Sequence, residues 1–282
     1  MFILPFPLIM TPTLLILLAH PDDETGCSGT MMTALAQGWR VILACATRGE
    51  EGEIADPKLA TRENLWQVRE AELRCACQIL GIDEVVFLDY CDSGMDGSPS
   101  NDNPKSFMQA QPTIVHQQLV QLIRRTRPEA VITFEPYGIY GHPDHIAMSR
   151  FATTAFHLAG DSSFYPEGGS PWQARKLFYF VIPTPWFAKV RDQMKALGLD
   201  TSGFDSLAQF LRPSLDTQIT HIIDVSTFVP QKMASLSCHQ TQIGPDSGFY
   251  HLMKPEFLSL HGQEHYIQVY PNEFEPIFYT HP

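Results

Sequence analysis

Two short clusters in this chain concentrate side chains capable of metal and acid–base chemistry. They are His20-Pro21-Asp22-Asp23-Glu24 and, about 120 residues later, Gly141-His142-Pro143-Asp144-His145. Together they offer imidazole nitrogens and carboxylate oxygens, the borderline donors that suit zinc. Three protein ligands with the fourth position left to water define a catalytic metal site rather than a closed structural one. Water activated there needs a base beside it. Of the consecutive Asp22 and Asp23, one can hold the metal while the other takes the proton. The competing reading of the first cluster is a capping turn, with Asp22 or Asp23 as N-cap and Glu24 in the first helical turn. A second cluster of the same chemistry tips the balance to the metal.

The elements around these clusters bring them together. Apolar runs at Leu14–Ala19, Arg40–Ala46, Glu84–Leu88, Ala130–Phe134 and Leu177–Ile182 read as strands. Helix-period segments at Gly29–Gln37, Leu59–Leu80, Thr113–Thr126 and Asp144–Leu158 alternate with them. Continuous apolar strands separated by helices predict an α/β fold, a single Rossmann-like domain with a mostly parallel sheet flanked by helices. Ligands in such folds lie beyond the carboxyl ends of the strands, so the metal site belongs on that rim. His20–Glu24 follows the first strand, Thr47–Glu53 the second and Tyr140–His145 the fourth, which places all three on it. Glu50 and Glu53 sit on the same rim, with a solvated acidic turn as the competing reading, and Asp89 and Asp92, after the third strand, face the same way. Gly94–Gln111 and Gly160–Pro171 read as loops. Beyond Lys189 the pattern weakens to one helix near Phe228–His239 and a strand at Tyr266–Tyr270.

The balance of 19 Lys and Arg against 31 Asp and Glu gives a net charge of −12. That argues against nucleic acid or an anionic membrane as partner, since both need a basic footprint. The apolar start, MFILPFPLIMTPTLLILLAH, lacks the basic residues of a signal peptide and is interrupted by Pro5, Pro7 and Pro12. It reads as an extended lead-in to a central strand, in a cytoplasmic protein. Cys27, Cys45, Cys75, Cys77, Cys91 and Cys238 form no C-x-x-C pair and read as buried free thiols in a reducing compartment.

In its motifs the chain resembles the PIG-L/LmbE-like N-acetylglucosaminyl deacetylases. The matching stretches are Ala19–Glu24 (AHPDDE), Thr47–Gly52 (a TxGExG-like turn), Arg69–Leu73 (RxxEL) and Tyr140–His145 (YGHPDH). Lys232–Leu236 followed by His239–Gln242 completes the series as a K…A…HxTQ segment. The resemblance implies His20, Asp23 and His145 as metal ligands, for zinc or alternatively ferrous iron. It implies Asp22 as general base, His142 as the protonated partner that stabilises the oxyanion, and Asp144 as the group that orients and charges that imidazole. Tyr140 would reach the tetrahedral intermediate, and Arg69 would bind substrate alongside Glu50. His239 is expected to pack or to support a ligand rather than to be one.

The expected activity is hydrolysis of an acetyl or other acyl group from the amine of an N-acetylglucosamine-type conjugate, a small-molecule substrate. A zinc amidase acting on a larger amide or thiol conjugate is the alternative within the class. A non-catalytic metal- or nucleotide-binding Rossmann-like protein is the alternative outside it, opposed by the lack of G-x-G-x-x-G at the first turn. The expected organisation is one domain over 1–282. Residues 13–160 form its core, 161–215 a variable insertion that shapes substrate choice, and 216–282 its C-terminal part; homo-oligomerisation stays open.

Overall fold

The structure, a computed structural model, describes residues 11–82, 84–244 and 248–278. Most of the expected lead-in therefore falls outside the described residues. β1 (Thr13–Leu18) is buried along its whole length, which is what a run of TLLILL needs when helices cover both faces. It is followed by α1 (Ser28–Ala36), β2 (Arg40–Cys45), α2 (Leu65–Leu80), β3 (Glu84–Phe87) and α3 (Pro112–Thr126). Next come β4 (Ala130–Phe134), a kinked turn α4 (Gly138–Gly141), α5 (Pro143–Leu158) and β5 (Lys176–Val181). The remainder is α6 (Thr184–Ala196), α7 (Ser202–Ala208), α8 (Pro213–Asp216), β6 (His221–Asp224), α9 (Val229–Leu236), α10 (Gly248–His251) and β7 (Gln263–Tyr270).

The seven strands lie in the order β3-β2-β1-β4-β5-β7-β6. β1 through β5 pair in parallel, and β7 runs antiparallel to both β5 and β6. The chain winds outward from β1 in one direction and from β4 in the other. Their shared boundary is the topological switch point, where the strand ends splay and leave a crevice. Both histidine clusters leave the sheet there. The expected mostly parallel sheet is present, and β7 is the one reversed strand among those described.

Two sequence expectations are corrected. α2 begins at Leu65 rather than Leu59, because the Asn64 Oδ1 accepts the Thr61 N–H at 2.7 Å and holds residues 61–64 in a turn. The cysteines are not all free thiols: Cys75 on α2 and Cys238 just after α9 form a disulfide, leaving Cys27, Cys45, Cys77 and Cys91 free. With its ends 163 positions apart in the sequence, this link restricts a large part of the unfolded chain. Cys75→Ser is therefore expected to lower the free energy of unfolding by about 2–4 kcal/mol in non-reducing denaturant titrations. The check is thiol counting on the denatured parent protein; six titratable thiols would remove the link.

The C-terminal part does more than extend the sheet. Glu264 on β7 accepts hydrogen bonds from Gly29 N (2.9 Å) and Thr30 N (2.8 Å), capping the otherwise orphaned amides at the start of α1. Its buried carboxylate pairs with Lys232 of α9 and takes the Tyr266 hydroxyl at 3.1 Å. The helix that follows the first cluster is thus anchored from the far end of the sequence. No helix among the described residues is long and apolar enough to cross a membrane.

Candidate active site

At the end of β1 the chain turns sharply through Asp22, whose φ of 101° is rare for a residue with a side chain. The turn folds the Asp23 carboxylate back onto the strand end, where Oδ2 accepts His20 N at 2.7 Å and Ala19 N at 3.2 Å. From β4, the buried Glu135 carboxylate accepts the N–H groups of Tyr137 and Ile139, each at 2.5 Å. It thereby fixes a turn in which Ile139 sits at φ 63°. Gly138 lies against His145, where an added Cβ would come within 2.8 Å of the histidine's own Cβ. These constraints place His145, stacked on Phe134 at 4.1 Å, opposite His20.

His20 Nδ1 lies 3.2 Å from His145 Nε2 and 3.5 Å from Asp23 Oδ2, and His145 Nε2 lies 3.1 Å from Asp23 Oδ1. The outer edges of the rings settle which nitrogens carry hydrogen. His145 Nδ1 faces the Gly138 carbonyl at 3.3 Å, and His20 Nε2 faces Asp144 Oδ2 at 3.2 Å and Asp92 Oδ1 at 3.4 Å. All of these are acceptors, so in the neutral rings both outer nitrogens donate and both inner nitrogens present lone pairs. Two lone pairs and a carboxylate oxygen then converge with no donor between them, an arrangement that calls for a cation. Tetrahedral coordination with bonds of about 2.0–2.1 Å sets ligands roughly 3.3–3.4 Å apart, close to the 3.2 Å between the two imidazole nitrogens and the 3.1 Å from His145 Nε2 to Asp23 Oδ1. The residues therefore fit a divalent metal.

Electrostatics point the same way. Burial opposes charging of His20, yet Asp92, Asp144 and Asp23 together hold its pKa well above the ordinary histidine value. Burial also opposes ionisation of Asp23, and the adjacent imidazoles His145 and His20 overcome it and pull its pKa well down. The cluster demands positive charge, from protons or from a metal. Two overlapping donor groups also lie close enough to share an ion, His20/His142/His145 and His20/Asp92/Asp144. The set with Asp23 is the better fit, because the His20 edge facing Asp92 and Asp144 carries a hydrogen. His142 Nδ1 is likewise engaged, accepting Asp144 N at 3.2 Å as the N-cap of α5.

Asp22 lies beside this set with its side chain one-third exposed, and Oδ2 accepts from Arg69 Nη2 at 2.9 Å. Burial raises the pKa of its carboxyl, against the pull of Arg69. Arg69 itself, expected to bind substrate, is buried and already committed. Its Nη1 donates to Gly49 O at 2.6 Å and its Nη2 to Pro21 O at 2.5 Å as well as to Asp22. It braces the turn that carries Asp22. The TxGExG-like stretch makes this geometry accessible, since any Cβ at Gly49 (φ +67°) would overlap the guanidinium. Gly49→Ala is accordingly expected to displace Arg69 and destabilise the fold by about 1–3 kcal/mol in denaturant unfolding.

Other expectations are redistributed. Asp144, expected to charge His142, instead directs its carboxylate to His20 Nε2, Ser93 N (2.9 Å) and Ser93 Oγ. Lying at the start of α5, its side chain turns toward the β1 end while its backbone N–H reaches His142. It is thus a carboxylate that orients a metal-facing histidine. Burial and the neighbouring His20 and His145 push the His142 pKa down to about 2. Glu50, expected at the sugar, accepts Asp92 N at 3.1 Å and fixes the loop carrying Asp92. Tyr140 lies edge-on to His145 at 5.2 Å and to His142 at 6.2 Å. Glu24 stands in the first turn, as expected, and is fully buried there, with His239 Nε2 at 2.6 Å. Asp92, expected on this rim after the third strand, is there and faces His20, whereas Ser93, which holds the Asp144 carboxylate, was missed because no spacing marks it.

A parallel sheet that delivers a His/Asp/His donor set at its switch point, with a spare aspartate alongside, is the architecture of a metal-dependent hydrolase. The chain belongs to the PIG-L family, described as GlcNAc-PI de-N-acetylase, which it matches over residues 15–156. It is accordingly a deacetylase, a hydrolase of N-acetyl amide bonds. A 1D-myo-inositol 2-acetamido-2-deoxy-alpha-D-glucopyranoside deacetylase from Acidothermus cellulolyticus is 37% identical over 273 residues, covering 92% of this chain and 89% of that protein. The corresponding deacetylase 1 from Catenulispora acidiphila is 36% identical over 252 residues, covering 85% and 78%. Among solved structures, the N,N'-diacetylchitobiose deacetylase from Pyrococcus horikoshii aligns with a TM-score of 0.64 at 17% identity, covering 92% of this chain and 84% of that one. A 4-carboxy-2-hydroxymuconate hydratase from Pseudomonas putida aligns equally well, with a TM-score of 0.64 at 19% identity, covering 95% and 100%. These structural likenesses establish the fold alone, and the hydratase is a reminder that one scaffold hosts different chemistry.

Proposed function

We propose that the protein removes the N-acetyl group from a glucosaminide whose aglycone is inositol or a similar polyol, with zinc held by His20, Asp23 and His145. Ferrous iron suits the same donors. The sugar comes from the names of the relatives. The observation that carries the metal is the convergence of His20 Nδ1, His145 Nε2 and the Asp23 carboxylate within 3.1–3.5 Å. A Lewis acid bound there polarises the acyl oxygen and acidifies the attacking water.

Asp22, aimed by Arg69, takes the proton from that water as the new C–O bond forms. Because the Nδ1 of His142 accepts the Asp144 N–H, its neutral ring keeps a hydrogen on Nε2, which serves as a donor to the acyl oxygen as charge develops. The Tyr140 hydroxyl assists on the same side. As the C–N bond breaks, the proton held by Asp22 passes to the departing amine, leaving acetate and a free amino sugar. Within 161–215 β5 belongs to the sheet, and the segments on either side of it shape which aglycone is accepted.

The test is acetate release from a glucosaminyl-inositol conjugate, free N-acetylglucosamine, diacetylchitobiose and a larger N-acyl amide, with elemental analysis of the purified protein. Release from the inositol conjugate, abolished by a chelator and restored by zinc, is expected. Turnover confined to the larger amide would reassign the substrate, and turnover indifferent to chelation would remove the metal.

A further inference from the structure

Asp22 holds a backbone conformation that a residue with a side chain adopts only under constraint, and its carboxylate is aimed by it. Arg69 grips the side chain, but the backbone needs its own restraint. It comes from Glu24: one carboxylate oxygen accepts Asp22 N at 2.9 Å, and the other takes His239 Nε2 at 2.6 Å. Both Glu24 and His239 are completely buried. A buried carboxylate that lacks a partner is strongly disfavoured, so the position of Glu24 depends on His239.

His239 lies 215 residues away in sequence, and the segment carrying it is fastened on both sides. Thr241 donates from N (2.7 Å) and Oγ1 (2.6 Å) to the Glu72 carboxylate, and the neighbouring Cys238 is bonded to Cys75. Both anchors are on α2, the helix that also supplies Arg69. One helix therefore holds the Asp22 carboxylate directly and its backbone through a relay.

We infer that His239 and Glu24 are positioning residues for the reaction: the chain His239 Nε2–H···Glu24···H–N Asp22 sets the aspartate turn and so aims the Asp22 carboxylate. The inference rests on the proposed role of Asp22 as base, and the assay separates the two. In His239→Phe the donor to Glu24 is lost. We expect kcat to fall by up to about 10²-fold, the scale of a misaimed catalytic group, with KM and bound metal little changed. His239→Gln, whose amide can still donate to Glu24, should recover most of the loss. Should the Phe variant fail to fold, His239→Asn, polar but too short to reach Glu24, gives the same contrast with Gln.

An independent readout needs no turnover. Hydrogen exchange of the Asp22 amide, resolved by NMR, should accelerate by about tenfold or more in His239→Phe or His239→Asn and return toward the parent rate in His239→Gln. Unchanged exchange and kcat in the Phe or Asn variant would overturn the inference, as would loss of bound metal that Gln does not repair. Altered Asp22 exchange in a protein without deacetylase activity would sink the proposed function and leave the positioning relay standing.

Discussion

Asp22→Asn is expected to reduce kcat by about 10²–10⁴-fold, the usual worth of a positioned general base, while the protein keeps its metal and fold. Asparagine is the informative change because its side-chain oxygen can still accept from Arg69 Nη2, which sits 2.9 Å from Asp22 Oδ2. Alanine would leave a buried guanidinium without its charged partner and confound the kinetic loss with instability. Burial shifts the carboxyl pKa of Asp22 upward, against the pull of Arg69. The measurements are steady-state kinetics on the inositol conjugate beside metal analysis of the same preparation. Parent-like kcat would remove Asp22 from the reaction; loss of metal would make it a ligand.

The sheet was legible because the chemistry of burial is local. Runs such as TLLILL and AVITF are apolar at every position, or nearly so, and only a strand covered on both faces accommodates that. Both histidine clusters were legible for a related reason: polar residues packed directly after such runs must sit on the rim. In the C-terminal third only α9 and β7 were, as the helix near Phe228–His239 and the strand at Tyr266–Tyr270. β6 is four residues long and half-exposed, and its HIID pattern carries no run to detect. α6 alternates apolar and charged residues behind Thr184 and Pro185 and buries only Phe187, Val190 and Met194.

Within the site, the limit was direction rather than identity. Asp144 and His142 are two residues apart, so adjacency suggested a pair, yet the start of a helix sends the two side chains to different partners. Arg69 showed up as a functional residue through the RxxEL match of its helix alone. Its engagement with Gly49, Pro21 and Asp22 depends on a fold no spacing encodes. Glu24 and His239, like Cys75 and Cys238, meet across most of the chain, brought together by the packing of α9 against the turn after β1 and against α2.

The ligand set itself is best decided by comparing Asp23→Asn with Asp144→Asn. In Asp23→Asn the side-chain oxygen can stay on His20 N and Ala19 N, so the turn survives while the anionic oxygen facing His145 Nε2 is neutralised. Asp144→Asn removes a carboxylate from the outer edge of His20, where Asp92 remains at 3.4 Å. Loss of such an outer partner costs about 10–100-fold in metal affinity, and loss of a ligand must exceed that. Chelator competition should therefore rank the parent above Asp144→Asn and Asp144→Asn well above Asp23→Asn, with activity at stoichiometric metal following the same order. A metal seated instead among His20, Asp92 and Asp144 would reverse the two variants, because Asp144 would then be the ligand and Asp23 the bystander.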